Sequence, residues 1–285
     1  MKKILITGGA GYIGSKLATK LLDLNFNVTV VDILKFSGKS LNHLHRRNNF
    51  TFIKGDVRNK KLIQKLIKSN EYIIPLAALV GAPLCEKKKK EAIDTNLKSF
   101  EFLMKKIKKK HKIIYLTTNS GYGVGQKNKY CDENSPLNPI SLYGRTKVEA
   151  EKIVMNHKNS IGFRLATVFG HSYRMRTDLL VNNFVFRSVK FKKIKIFEPH
   201  FRRNYIHIDD VVEGILYSII NFNKLKSQIY NLGLSSANLT KIMLAKKIKK
   251  QIPNLKISII KNIKDPDQRD YFVSNKKIEK KGFKA

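Results

Sequence analysis

Apolar and polar positions along the first half of the chain follow two periods that take turns. The apolar run Ile4-Leu5-Ile6 is followed by helix-spaced Leu17, Leu21 and Leu22, and then by a second apolar run from Val28 to Val31. The order repeats, with a strand pattern from Phe50 to Val57, a helix from about Asn59 to Ser69, and a buried-looking strand from Tyr72 to Ala78. Ile93, Leu97, Phe100, Leu103, Met104 and Ile107 keep helical spacing through 90–110, and Lys112 to Leu116 reads as another strand. Strands separated by helices build a parallel sheet covered on both faces, so the pattern predicts an α/β, doubly wound fold. The second half is less regular. Ile161 to Leu165, Tyr205 to Ile208 and Ile229 to Gly233 read as strands, and Asp210 with Glu213 reads as a capping-box helix start. Residues 1–166 are expected to form the sheet domain, which also receives the segment near 204–233. Residues 167–285 are expected to supply mainly a smaller, interleaved lobe.

The first strand runs straight into Thr7-Gly8-Gly9-Ala10-Gly11-Tyr12-Ile13-Gly14 and a helix. Strand, glycine turn and helix in that order form a dinucleotide site: Gly8 permits the turn, Gly11 admits a pyrophosphate close to the backbone, and Gly14 lets the helix lie on the strand. The helix N-terminus adds N–H groups and the positive end of a dipole. Asp32, at the tip of the second strand and about 20 residues past the glycines, suits the adenosine ribose hydroxyls. Its charge repels a 2′-phosphate, so NAD is favoured over NADP. The domain is therefore expected to be of the Rossmann type.

Composition changes this picture little. In 285 residues, 42% of them hydrophobic, there is material for a substantial core without staples. Cys85 and Cys131 stand far apart with no metal-ligand or CxxC spacing, which predicts two reduced, buried thiols and no metal site. Too few apolar residues precede the glycine loop for a leader peptide, and the apolar stretch from Ile73 to Cys85, interrupted by Pro75, Gly81 and Pro83, is too short to span a bilayer. A cytoplasmic protein without a membrane partner is expected. The net charge of +36 comes from lysines scattered over nearly every helix. No nucleic-acid motif accompanies them, so they read as generic solvated residues with a weak, salt-sensitive attraction to polyanions.

The candidate chemistry lies in Tyr143-Gly144-Arg145-Thr146-Lys147, where a Tyr and a Lys share one helix face. A phenol is a poor base near neutrality until a neighbouring ammonium stabilises its phenolate. Tyr143 could then take a proton from a substrate hydroxyl, with Thr118 at a strand end hydrogen-bonded to the same oxygen.

TGGAGYIG, Asp32, Gly55-Asp56-Val57, Ala77-Ala78, Thr118 before Tyr122-Gly123, YGRTK, and Arg202-Arg203-Asn204-Tyr205-Ile206-His207 appear in order along nearly the whole chain. Together they resemble the extended short-chain dehydrogenase/reductase family, in its NAD-dependent sugar-nucleotide epimerase/dehydratase branch. The resemblance implies that Gly8, Gly11, Tyr12, Ile13 and Gly14 hold the pyrophosphate, Asp32 the adenosine ribose, and Asp56 with Val57 the adenine. Leu76, Ala77 and Ala78 would line the middle of the cofactor, with Asn96 behind them. Thr118, Tyr143 and Lys147 would be the catalytic set, Lys147 also reaching the nicotinamide ribose. Asn183, Arg203 and Arg269 would grip the diphosphate of a nucleotide sugar. A homodimer through helices near 90–110 and 143–157 is also implied.

Departures narrow the reaction. Members of the branch often carry His where Pro75 stands, and Asn where Thr167 stands. Dehydratases place an Asp-Glu acid–base pair directly after the catalytic Thr, and here those positions are Asn119 and Ser120. The expected activity is a nucleotide-sugar epimerase working by transient oxidation of a hydroxyl, at C4. Net oxidoreduction, elimination, or a non-catalytic dinucleotide-responsive protein are the alternatives. Arg174, Arg176 and Asp178 could contact the sugar or form surface ion pairs. His207 is expected to support the strand carrying Arg203, and His43 and His45 to be solvated.

Overall fold

Seven parallel strands form the central sheet: β1 (Lys3–Thr7), β2 (Asn27–Asp32), β3 (Phe50–Lys54), β4 (Tyr72–Pro75), β5 (Lys112–Thr118), β6 (Ser160–Leu165) and β7 (Gln228–Leu232). The computed structural model describes residues 2–36, 38–126, 129–260 and 269–285. The sheet order is β3-β2-β1-β4-β5-β6-β7, so the order reverses between β1 and β4 and opens a crevice at their carboxyl ends. Alternation in β1 feeds both faces. Ile4 and Ile6 pack with Leu17, Leu21, Val30 and Ile215, whereas Leu5 packs with Ile63, Ile73, Phe100 and Tyr115. Every residue of β4 and β6 is buried, as strands covered on both sides require, while edge strand β3 is largely accessible.

Several elements differ from the sequence pattern, each for a local reason. The strand expected to reach Ala78 stops at Pro75; Leu76 N then bonds Thr7 O (2.9 Å) and Ala77 N bonds Thr7 Oγ1 (3.3 Å), turning the chain across the crevice. The single helix expected over 90–110 is broken into Lys89–Ile93, a π turn at Asp94–Lys98, and Ser99–Lys106. The wider turn carries Asn96 inward. Its Oδ1 accepts from Leu79 N (2.8 Å) and its Nδ2 donates to Leu79 O (2.9 Å). Asn96→Ala leaves the N–H of buried Leu79 without a side-chain partner and its carbonyl with only the weak Cys85 thiol donor, and should cost about 2–4 kcal/mol, read as a lowered urea midpoint at unchanged m. The helix after the Arg203 strand begins at Ile208 and is capped by His207, not by Asp210, and Glu213 pairs with Lys20 instead.

The second half adds a lobe with its own apolar core, including Val181, Phe184, Ile194, Ile196, Leu239 and Leu244. Thr167–Phe169, Arg202–His207 and Asn238–Thr240 form one small sheet, and Lys193–Phe197 pairs with Lys256–Ile260 in another. The segment past 204 returns to the large domain: helix Ile208–Ile220 packs on the β1 face and β7 closes the main sheet. Cys85 and Cys131 are buried free thiols. No helix among the described residues is long and apolar enough to cross a membrane.

Candidate active site

The glycine loop sits at the mouth of the crevice. Gly8 has φ +73° and bonds Val31 O through its N–H at 2.8 Å, and a Cβ there would stand 2.6 Å from Ala77 N. At Gly14 a Cβ would fall 2.5 Å from Gly8 O, so the helix can lie this close only without a side chain. That helix, Tyr12–Asp23, has no side-chain cap and no acidic residue in its first turn. Its amide donors are left for an anion. Asp32 fixes the loop, accepting from Ala10 N (3.0 Å) on one carboxylate oxygen and from Leu34 N (2.8 Å) on the other. Each oxygen retains a lone pair for a ribose hydroxyl. The cradle fits a dinucleotide: the helix end could hold its pyrophosphate and Asp32 its adenosine ribose.

Along the crevice wall, a cavity of about 20 Å³ is lined by Val57, Ala77, Ala78, Asn96, Tyr115 and Lys147, among others. Expected site residues from four separate segments thus meet in one place. Asp56 is gripped by Arg58, whose Nη2 lies 2.6 Å from Oδ2, and this guanidinium holds the carboxyl below the usual range. Cys85 donates to Leu79 O (3.4 Å), and burial pushes its thiol up to about 11, leaving it unreactive.

Helix Leu142–Met155 is capped by Ser141, which accepts from Gly144 N at 3.1 Å, and it carries Tyr143 and Lys147 against the end of β5. The Thr117 hydroxyl reaches Lys147 O (3.5 Å) across that contact. Tyr143 is half-buried and packs against Leu79 and Cys85. Lys147 is 7% exposed, and its Nζ stands 4.1 Å from the centre of the Tyr115 ring. Burial pushes its pKa down to about 7, opposed by Glu151. Thr118 Oγ1 lies 2.8 Å from Ser120 Oγ and accepts from Ser120 N at 3.1 Å, fixing the hydroxyl at the strand end.

Glu151 was not singled out in the sequence. It lies one turn beyond Lys147 and is taken by Arg164 of β6 in a buried ion pair (Nη2–Oε1 2.7 Å). Its helical spacing from Lys147 is a visible signal, but its partner depends on which strand lies beside the helix.

On the lobe side, Asn183 donates to Thr177 O (3.1 Å). Its neighbour Asn182 is the one turned inward, accepting from Gly170 N (2.9 Å) and donating to the Tyr12 hydroxyl (3.2 Å). Tyr12 also donates to Gly170 O (2.7 Å), so the glycine loop is tied directly to the lobe. Arg176 pairs with Asp178 (2.8 Å), and Arg174 lies 4.1 Å over the ring of Phe36. His43 is not simply solvated: it stacks on Tyr173 with ring centres 4.0 Å apart. His207 caps its helix by accepting from Asp209 N (3.3 Å), besides stacking edge-on with Phe169. Arg203 is buried beside Tyr271 (5.9 Å), while Arg269 Nη1 donates to Ser120 Oγ. Burial dominates at Tyr205 and pushes its phenol up; the Arg203 and Arg269 guanidiniums oppose it.

Fold and site together define a dinucleotide-binding α/β protein with a Tyr-Lys pair at the cofactor crevice. The family model described as NAD dependent epimerase/dehydratase family matches residues 4–233, and the chain belongs to that family. The dinucleotide is accordingly NAD. Over 272 residues the chain is 28% identical to a dTDP-D-glucose 4,6-dehydratase of Dictyostelium discoideum, covering 87% of this chain and 62% of that protein's length. It is 30% identical over 250 residues to YtcB of Bacillus subtilis, named an uncharacterized UDP-glucose epimerase, covering 81% of this chain and 76% of that one. The structure of a UDP-glucose 4-epimerase of Thermotoga maritima with UDP-glucose superposes with a TM-score of 0.86 at 25% identity, over 99% of this chain and 93% of that one.

Proposed function

We propose that the protein epimerises a nucleotide-diphosphate sugar by transient oxidation of its C4 hydroxyl. The observation that carries this reading is the pairing of Thr118, Tyr143 and Lys147 at the crevice with Asn119 and Ser120 in the two positions directly after Thr118. An amide and a hydroxyl cannot act as the carboxylic acid and carboxylate that elimination across C5 and C6 requires. The remaining set is sufficient for a reversible oxidation.

Thr118 holds the C4 oxygen, and Tyr143 takes its proton. Lys147, one helical turn on, lowers the cost of the phenolate in its ammonium form. NAD supplies the hydride acceptor when bound in the crevice. Tyr143 keeps the proton within reach, so the carbonyl can be reduced again from either face once the sugar has turned. Asn183 and Arg203 are the proposed grip on the diphosphate, for which a planar guanidinium suits paired oxygens. Association of two copies through helices Ser99–Lys106 and Leu142–Met155 belongs to the same proposal and is read from the solution mass.

The direct test is product analysis with a panel of nucleotide sugars. A C4 epimer at equilibrium, without free NADH, supports the reading; stoichiometric NADH without an epimer, or a deoxy-keto sugar, contradicts it.

A further inference from the structure

We propose that the outer face of helix Leu180–Phe191 docks on an anionic lipid bilayer, lying among the headgroups without crossing the membrane. The helix carries apolar side chains on two sides. Val181 and Phe184 are buried in the lobe core, whereas Val185, Phe186, Val189 and Phe191 are 42–59% exposed. A surface helix ordinarily turns polar groups outward, and one that is apolar all round is covered on every side. Phe186 and Phe191 meet edge to face with ring centres 6.2 Å apart, so the two rings form one patch.

The charges around the patch select what covers it. Lys190 Nζ lies 5.6 Å from the centre of the Phe186 ring and 5.4 Å from that of Phe191, and the Arg187 guanidinium lies 5.7 Å from the latter. Lys192, Lys193 and Lys195 follow at the surface, and no acidic residue occurs between Asp178 and Glu198. Along the sequence these lysines read as generic solvated residues with no membrane partner implied; the fold sets four apolar side chains among them. A second copy of the chain on this face would set like charges against each other across a two-fold axis. Contacts between proteins are also poor in lysine. A nucleic acid would pair the cations but leave Val185 and Val189 uncovered. An anionic bilayer meets both demands. Lipid phosphates take the lysines, whose long stems reach the headgroups, while the rings and valines sink to the acyl boundary. Lying on a membrane needs only this one face, and no helix among the described residues is long and apolar enough to cross one.

The chain has no tryptophan, so Phe186→Trp places a lone reporter on the patch. The full chain is mixed with vesicles of phosphatidylcholine alone, with vesicles of phosphatidylcholine and phosphatidylglycerol at about 2:1, and with heparin. Tryptophan emission should move to the blue with the mixed vesicles only. In sedimentation the unaltered protein should bind the mixed vesicles about tenfold or more tighter than the neutral ones. Phe186→Ser/Phe191→Ser should weaken that binding about 30-fold and leave retention on heparin unchanged. Sedimentation without a blue shift, or equal binding by the double variant, would mean adsorption by charge alone and overturn the docking face. A blue shift with heparin would give the patch to a nucleic acid, and a shift that grows with protein concentration in the absence of vesicles would give it to a second copy; either overturns the proposal. The comparison of the two vesicle compositions uses the unaltered chain, so it decides even if the double variant fails to fold: equal sedimentation with both, or none with either, is the contrary result. None of these readouts depends on the proposed reaction.

Discussion

Tyr143→Phe should lower turnover by about 10³-fold or more while the protein still binds NAD and nucleotide sugar. The substitution removes one oxygen from a half-buried ring whose packing against Leu79 and Cys85 it keeps. In the proposed reaction, what is lost is the group that takes the C4 proton as the carbonyl forms. Lys147 cannot replace it, since its Nζ is turned against the Tyr115 ring and acts through charge. Single-turnover kinetics with equilibrium binding separate the two effects: kcat should fall and both dissociation constants should stay within about threefold, because the deleted contact matters chiefly in the transition state. A comparable loss in binding would make Tyr143 a ligand-holding residue and move the chemistry elsewhere.

Lys147→Met should also remove turnover, but it should make the NAD-free protein more stable. The wild-type ammonium is buried beside an aromatic ring, and burial pushes its pKa down to about 7. Between that value and the ordinary lysine value of about 10.5, the unfolded chain binds a proton that the folded chain does not, so this group makes stability rise with pH. Its cost is greatest at and below pH ~7 and fades as pH approaches about 10.5. Methionine fills similar space without charge and should gain about 2–4 kcal/mol at pH 7, with the gain shrinking by pH 10. Urea titrations of both proteins at the two pH values read this directly. An equal difference at both would mean that packing, not desolvated charge, separates the side chains. A crevice lysine held against its own solvation is the kind of local conflict found at working sites.

The candidate site was more legible in the sequence than the second half of the chain. Gly8, Asp32, Thr118, Tyr143 and Lys147 lie at strand ends or one turn into helices, where spacing alone tells which face and which end of the sheet a residue takes. Asn96 was visible as a residue but not its π turn, because only the backbone of Leu79, folded over from another segment, gives that turn its partner. Long-range pairs were equally hidden. Glu151 with Arg164, Tyr12 with Gly170, and Arg269 with Ser120 join segments far apart in the chain, and periodicity carries no information about such neighbours. The choice between Asn182 and Asn183 also depends on packing. The inward residue is the one that finds Gly170 N and Tyr12, while its neighbour caps its own loop through Thr177 O. The pattern missed helices Leu180–Phe191 and Lys241–Gln251, since their apolar stripes lie among lysines and arginines that blur the polar face.

The proposed reaction is reversible oxidation at C4 followed by return of the hydride to the same carbon. The most direct measurement is incubation of the purified protein with a nucleotide sugar deuterated at C4, in ordinary water, followed by mass spectrometry and NMR of both epimers. Deuterium should stay at C4 in substrate and product, with no solvent hydrogen incorporated at C5. Loss of the C4 label to free reduced cofactor, or solvent hydrogen at C5 or C6 with loss of water, would contradict it.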